Sequence, residues 1–521
     1  MSDRAIVLTL RQRLNLAWRP FFGRFGGLTE TQIATIPHIL DGENVTLIAP
    51  TASGKTEAIA APVAQRHRDE GWEGLAVAYI VPTRALANDT LIRVGGPVAD
   101  MGLRIDLKHG DRPSLARNLD WLITTPESLD SLIARRPKLL QNLRCVILDE
   151  IHLLDNTYRG DQLRVLLARL RLHCGADLLT HLISATLPDP SALAQRYTAA
   201  STVISVNGQR NVTLQFASDH KETKALARQH EWKKLLYFCN RREHVETVAG
   251  ELVDVWRPYP VVAHHGSLSK DRREEAEQVL RENRTAVGVS TSTLEVGIDI
   301  GDIDAIVLAD IPWSCSALLQ RIGRGNRRSG QIQVIGHGMD VPSRAALTMM
   351  LDASLTGAIF ADDYAPDQSV AIQQIISILY QHRGSGLSAL VLASLLQCLV
   401  DDNQLALLLE HLEAKGMLVR QGSRWFLSTS TLDEAERGAI HSNIPDTATY
   451  KVIDVASMRE IGSIAGMFDS VFLLGSAVWQ VVDVHFPIIR ARRYHGPADP
   501  ALFKRHPQAG RYYRYLPASL R

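Results

Sequence analysis

The sequence predicts an α/β protein: two tandem parallel-sheet domains, then a winged helix and a small β-rich C-terminal domain. Three observations carry this. Short β-branched runs separated by helical patterns occur in two successive stretches, leucine-rich helical segments follow Pro342, and glycine-punctuated alternating runs come after Tyr450. A chain of 521 residues is also too long for one ordinary core.

The first domain, residues 1–207, contains the runs Val45–Ala49, Ala76–Val81, Trp121–Thr125, Cys145–Asp149 and Leu182–Ala185. The second, residues 208–342, contains Leu235–Cys239, Val261–His264, Ala286–Ser290, Ala305–Leu308 and Ile332–Gly336. Runs of this kind with helical intervals suit parallel strands buried on both faces. Residues 343–430 form a helical linker and winged helix. Their helices are expected over Ser343–Phe360, Ser369–His382, Leu387–Leu396 and Asn403–Lys415, with Gly416 as a helix C-cap. The strands Met417–Arg420 and Arg424–Leu427 complete the outline. In residues 431–521 the runs Tyr450–Val455, Val471–Leu474 and Val478–Val484 predict a small antiparallel unit.

Composition excludes several classes. With 45% hydrophobic and 22% charged residues the chain reads as globular. It has no apolar run near the roughly 18 residues a membrane span needs. Five scattered cysteines at no metal-ligand spacing argue against a zinc or iron–sulfur site and for a reducing, cytoplasmic location. The net charge of +1 gives no global sign of a polyanionic partner. Locally, Arg490–Arg521 interleaves basic residues with four tyrosines and Phe503, which fits either phosphate and base contacts or a solvated tail or strand pairing back onto a domain.

The chemistry starts at Ala49-Pro-Thr-Ala-Ser-Gly54-Lys55-Thr56, a phosphate-binding loop between a strand and a helix, with Ala49 in place of the usual first glycine. Backbone N–H groups at a helix N-terminus cradle phosphate oxygens, Lys55 reaches the β- and γ-phosphates, and the Thr56 hydroxyl holds Mg²⁺. A second strand delivers Asp149-Glu150-Ile151-His152. Asp149 is expected on the metal, Glu150 as the base for the attacking water, and His152 in a coupling role. ATP with Mg²⁺ is therefore the expected nucleotide.

These residues resemble the superfamily 2 helicases of DEAD/DEAH type, most closely the Lhr-like branch, over about residues 15–485. Gln32 looks like the family's adenine-reading glutamine. Pro82-Thr-Arg-Ala-Leu86 and Thr124-Thr-Pro-Glu-Ser128 resemble its first two strand-handling motifs, and Ser184-Ala-Thr186 the motif linking hydrolysis to movement. Phe238-Cys-Asn-Arg-Arg242, His264-His-Gly-Ser267, Ser290–Asp299 and Gln320–Arg327 complete the series. The resemblance implies two RecA-like domains. Nucleotide contacts then fall to Gln32, Thr51, Ser53, Gly54, Lys55, Thr56, Gly297, Asp299 and Arg321. Strand contacts fall to Thr83, Arg84, Thr125, Asn240, Arg242, His265, Gly266 and Thr291, coupling to Ser184 and Thr186, and arginine fingers to Arg324 and Arg327.

Such fingers contribute ~10³–10⁵ in rate, and two domains that share one nucleotide tie hydrolysis to closure of the cleft. The implied partner is single-stranded or forked nucleic acid, DNA favoured, with movement 3′ to 5′ and separation of DNA:DNA or RNA:DNA duplexes. An RNA-remodelling ATPase and an ATP-gated clamp in a larger assembly are the alternatives. The C-terminal half is similar to the group's winged helix and β domain, at Gln373–Leu379, Asn403–Leu427, His441–Pro445 and Gly475–Val484. The sequence departs from the group at Ala52, at Asn326-Arg327 and in ending at Arg521, without the long extension of the larger members.

Overall fold

The computed structural model describes residues 3–521 except 51–52, 176–177, 185–188, 207–210, 267, 269, 296–299, 326–330, 357–363, 439, 444–448, 459, 466–470, 475–476, 486 and 495–509. Thr51, Thr186, Gly297, Asp299 and Arg327 lie outside the described residues.

Contacts divide the chain into two units. Unit 1 comprises residues 1–207, 362–446 and 507–521; unit 2 comprises 208–361 and 447–506. The winged-helix stretch thus packs with the first α/β domain, and the small β stretch with the second.

Unit 1 is built on a parallel sheet of seven strands in the order β3-β4-β2-β5-β6-β1-β7. They are β1 Val45–Ile48, β2 Val77–Ile80, β3 Ile105–Lys108, β4 Trp121–Thr124, β5 Cys145–Leu148, β6 Leu179–Ser184 and β7 Thr202–Ser205. The central strands β1, β2, β4 and β5 are buried at every position, as their unbroken apolar runs require. Strands β3 and β7 were not expected. Both are edge strands that mix polar with apolar residues, IDLK and TVIS.

Register places the C-terminal ends in one rank. Lys108 pairs with Thr124, Thr124 with Ile80, Ile80 with Leu148, Leu148 with Leu182, and Ile48 with Ser184. Ligands of open parallel sheets bind beyond these ends.

The winged helix of unit 1 has the helices Ala389–Leu396 and Asp402–Ala414, followed by β15 Leu418–Gln421 and β16 Arg424–Leu427. Gly416, at φ +71°, ends the second helix in the left-handed region that favours glycine. A short β14, Leu387–Ser388, pairs with β16, where a continuous helix was expected.

The helix Ser369–Gln381 is buried along its length between this subdomain and the α/β core. Its polar side chains meet a buried ion pair: Arg169 Nη1 lies 2.6 Å from Asp130 Oδ1. Ser377 and Gln373 also donate to Asp130, at 2.6 and 3.0 Å, and His441 Nδ1 lies 3.3 Å away. Burial alone would raise the Asp130 pKa, but the His441 hydrogen bond and the Arg169 charge hold it below the usual value. His441 and Asn443, expected in the small β domain, are instead buried in unit 1.

The terminal segment packs onto the same helix. Tyr512 and Leu516 are buried there, and the Tyr512 N–H donates to Asn443 Oδ1 at 3.1 Å.

Unit 2 has a six-stranded parallel sheet in the order β10-β11-β9-β12-β13-β8. Its strands are β8 Asn211–Ala217, β9 Lys234–Phe238, β10 Val261–His264, β11 Ala286–Ser290, β12 Ala305–Leu308 and β13 Gln331–His337. The edge strand β8 was not expected. The second sheet of unit 2 runs β18-β17-β21-β20-β19, from β17 Thr449–Asp454, β18 Glu460–Ala465, β19 Val471–Leu474, β20 Ala477–His485 and β21 Ile488–Arg493. It is mixed, because β17 and β21 pair in parallel, and this corrects the antiparallel expectation. The start of the basic segment, Ile488–Arg493, is a strand of this sheet.

Among the described residues, no helix is long and apolar enough to cross a membrane.

Candidate functional site

The phosphate loop leads from β1 into the helix Lys55–Asp69, with Gly54 as its N-cap. Gly54 has φ +83°, and a Cβ there would stand 2.4 Å from Gln32 Nε2. Gln32 itself completes a capping box with Thr29: its Oε1 accepts the Thr29 N–H at 2.9 Å, and Thr29 Oγ1 accepts the Gln32 N–H at 3.3 Å. Thr29 Oγ1 also donates to the Ser53 carbonyl at 2.8 Å. Thr29 and Gln32 thus set the entrance of the loop.

Lys55 is 7% exposed, and its Nζ donates to the carbonyls of Ala49 at 2.9 Å and Ser184 at 3.4 Å. Glu150 Oε1 lies 4.0 Å from the same amine. Thr56 is buried beside Lys55 on the first helical turn.

Asp149 is buried at the end of β5 and accepts the Tyr79 hydroxyl at 2.8 Å and the Glu150 N–H at 2.9 Å. Burial, then the adjacent Glu150 charge, raises its pKa to about 6, against the lowering effect of Tyr79 and Lys55. Tyr79 was missed in the sequence, where it reads as one more apolar position of a buried strand. Glu150 itself adopts φ +46°, the left-handed region that non-glycine residues rarely occupy.

His152 Nδ1 lies 3.1 Å from Ser184 Oγ and 3.4 Å from Glu150 Oε2. Ser184 therefore faces two ways: its carbonyl accepts from the loop lysine, and its hydroxyl meets the histidine beside the carboxylate. The predicted residues Lys55, Asp149, Glu150, His152 and Ser184 come together on adjacent strand ends.

On the other half of the rank stand the predicted strand contacts. Thr83 caps the helix Arg84–Asp100, its Oγ1 accepting the Leu86 N–H at 3.2 Å. Thr125 occupies the N-cap of the helix Pro126–Arg135. Two helix N-termini thus open side by side, an arrangement suited to phosphate oxygens. Arg84 pairs with Asp111 at 2.5 Å.

In unit 2 the matching register runs from His264 through Ser290 to Phe238 and Leu308. Beyond these ends lie His265, Gly266, Thr291, Asn240 and Arg242. Arg242 is exposed at the start of its helix and pairs with Glu243 at 2.7 Å. His265 Nε2 lies 2.6 Å from Glu246.

Asn240 is tied down more firmly. Its N–H donates to Asp310 and its Nδ2 to the Ile311 carbonyl, each at 2.7 Å, and Arg321 Nη2 donates to its Oδ1 at 2.9 Å. Arg321, expected at the nucleotide, is 1% exposed, 2.7 Å from Glu295 and stacked 5.4 Å over Phe238. It braces the unit 2 framework. Arg324 is also buried, donating from Nε to the Glu295 carbonyl at 2.9 Å. Cys239, His244 and Asp310 bring three donor atoms within 4.8 Å of one another, although Cys239 shows no metal spacing in sequence. Asp310 already binds His244 Nδ1 at 2.8 Å in addition to the Asn240 N–H.

Comparison with known proteins agrees with this geometry. The DEAD/DEAH box helicase family matches residues 29–193, and the helicase conserved C-terminal domain matches residues 220–329. The chain is 30% identical over 364 residues to ATP-dependent helicase Lhr-Core protein 2 of Thermococcus barophilus, covering 60% of this chain and 42% of that one. It is 30% identical over 415 residues to ATP-dependent helicase Lhr-Core of Methanothermobacter thermautotrophicus, covering 69% and 46%. The chain thus spans less than half the length of these relatives. In fold it is similar to the Mycobacterium smegmatis helicase Lhr, solved bound to ssDNA and AMP-PNP, with a TM-score of 0.69 at 23% identity over 83% of this chain and 62% of that one.

Proposed function

We propose, for a chain that belongs to the DEAD/DEAH-type helicases of superfamily 2 on their Lhr-like branch, an ATP-driven motor on single-stranded or forked nucleic acid. DNA is its preferred strand and 3′ to 5′ its direction. One observation carries the reading: Ser184 joins Lys55 to His152 and Glu150, in the same rank of strand ends as Thr83 and Thr125. Hydrolysis and strand grip then share one edge of one sheet.

Lys55 takes the β- and γ-phosphates, and Glu150 accepts the proton of the attacking water. A divalent cation suits this site, since burial and the Glu150 charge both disfavour ionised Asp149. Thr56 and Asp149 would hold Mg²⁺, whose contribution is to neutralise phosphate charge. Arg324 and Arg327 keep the arginine-finger role, and Gln32 the adenine contact beside its place in the capping box. Thr83, Arg84, Thr125, Asn240, Arg242, His265, Gly266 and Thr291 hold the backbone without reading bases.

The test is ATP hydrolysis with matched DNA and RNA strands. Single-stranded DNA should stimulate the rate strongly, and Lys55→Ala or Glu150→Gln should abolish it. An ATPase indifferent to every nucleic acid overturns the reading. Stronger stimulation by RNA would assign RNA remodelling, and hydrolysis without separation of a duplex carrying a 3′ overhang would assign a clamp.

A further inference from the structure

We propose that the Glu127–Arg159 ion pair is a positioning device: it links a strand held at Thr125 to the Glu150 carboxylate. The proposal rests on the nucleic-acid reading above and names the residues through which that strand accelerates hydrolysis.

Thr125 and Glu150 follow β4 and β5, and β2 lies between these two strands. The sheet therefore does not make them neighbours. Contact comes instead from the helices that continue each strand, Pro126–Arg135 and Tyr158–Cys174. Leu129, Ile133, Leu163 and Leu166 from these helices lie in one core. Their first turns are joined by charge: Arg159 Nε and Nη2 donate to Glu127 Oε1 and Oε2 at 2.6 and 3.0 Å. The two side chains are only 20% and 17% exposed. A sheltered, bidentate pair fixes direction as well as distance, which an exposed single contact does not.

Each end of the pair leads to chemistry. Glu127 stands in the first turn of the helix that Thr125 opens. Thr125 makes no side-chain cap there, which leaves the first-turn N–H groups to a phosphate oxygen. A bare carboxylate beside them would repel that phosphate, and Arg159 cancels its charge. Arg159 is tied in turn to Glu150 by successive hydrogen bonds. The Leu153 N–H donates to the Glu150 carbonyl at 2.9 Å, and the Asp155 N–H to the Ile151 carbonyl at 2.8 Å. Thr157 Oγ1 donates to the Leu154 carbonyl at 2.5 Å and accepts the Arg159 N–H at 3.2 Å. Asp155 also accepts Arg196 Nε and the Tyr197 hydroxyl, each at 3.0 Å, which braces the same turn. A phosphate that draws on the Thr125 helix thus pulls on a braced turn, and that turn starts at Glu150 in its left-handed conformation. Contiguous contacts of this kind carry coupling between sites.

The test measures ATP hydrolysis by the full chain as oligo-dT is titrated. The titration gives the stimulation, as the ratio of saturated to strand-free rate, and separately the strand concentration at half-saturation. Arg159→Ala should cut the stimulation at least about fivefold. It should also raise the half-saturating concentration several-fold, because Glu127 is left unpaired beside the phosphate. Glu127→Gln should cut the stimulation by a similar factor. The two changes together should cut it no further and should return the half-saturating concentration toward that of the unaltered chain. Arg159→Lys keeps the charge without the fork, so it should restore the half-saturating concentration but not the stimulation. Glu127→Gln and Arg159→Lys keep side-chain size and decide the matter if Arg159→Ala loses its thermal transition. Unchanged stimulation in these variants overturns the link, and so does an equal fractional loss with and without strand, which would make the pair a support of the fold. Either result leaves the motor reading standing, since the unaltered chain still responds to strand. A chain that no strand stimulates overturns both.

Discussion

Ser184 separates two functions within one residue. Its carbonyl meets Lys55, and its hydroxyl meets His152. Ser184→Ala deletes only the second contact, because the backbone carbonyl stays. The nucleotide site should then keep ATP hydrolysis within a few-fold of the unaltered rate, while strand separation falls at least tenfold. Paired measurement of phosphate release and duplex opening checks this, and equal losses in both would show that the hydroxyl serves chemistry rather than coupling. Beside it, Glu150 occupies a left-handed backbone conformation, which costs on the order of 1–3 kcal/mol for such a residue. The strain sits at the residue assigned the proton transfer, where the strand end and the turn after it fix the carboxylate's direction.

At the scale of elements, the winged helix is welded to the first α/β domain by charge as well as by leucines. Asp130 and Arg169 are 0% and 3% exposed, and the helix Ser369–Gln381 closes over both. Asp130→Ala leaves the Arg169 charge buried without its partner, a change that costs about 3–5 kcal/mol. Thermal unfolding should show a large drop for that variant and a smaller one for Asp130→Leu combined with Arg169→Met. Additive losses in the double variant would show that the two residues are not coupled. None of this pair was legible in the sequence, where a polar residue on a helix reads as part of a solvated face. The same limit applied to Tyr79, whose hydroxyl finds Asp149 only across two adjacent strands. Strands buried on both faces were legible because Cys145–Leu148 or Ala305–Leu308 is an unbroken apolar run. Edge strands such as Ile105–Lys108 and Asn211–Ala217 mix polar and apolar residues, and for the segment that starts in Ile488–Arg493, with three arginines, a strand pairing back onto a domain was only one of the readings the residues left open. Lys55, Asp149, Glu150, His152 and Ser184, which the structure brings together, were marked by motif order, since each lies at or just beyond the end of an apolar strand.

For the molecule as a whole, a buried and a half-buried histidine contribute to the response to acid. His181 lies fully buried in the unit 1 sheet, where its Nδ1 accepts the Val45 N–H at 3.3 Å. Burial lowers its pKa from 6.5 to about 3. In unit 2, burial and then the neighbouring His220 lower the His337 pKa from 6.5 to about 4. An unfolded chain takes up these protons near pH 6.5, whereas the folded chain resists them until pH 3 to 4, so the unfolded state gains protons first as pH falls. The stability contribution is complete above pH 6.5 and declines through that window, by about 2 kcal/mol at pH 5 for His181. Asp149 acts in the opposite sense, since its raised pKa favours proton uptake by the folded state between about 6 and its ordinary 3.8, over a narrower range than His181. The thermal midpoint should therefore fall between pH 7 and pH 5. His181→Gln should start from a lower midpoint at pH 7 and lose less of it on acidification, because glutamine has no proton to gain. An identical drop in the variant would place the acid sensitivity elsewhere than in the buried imidazole.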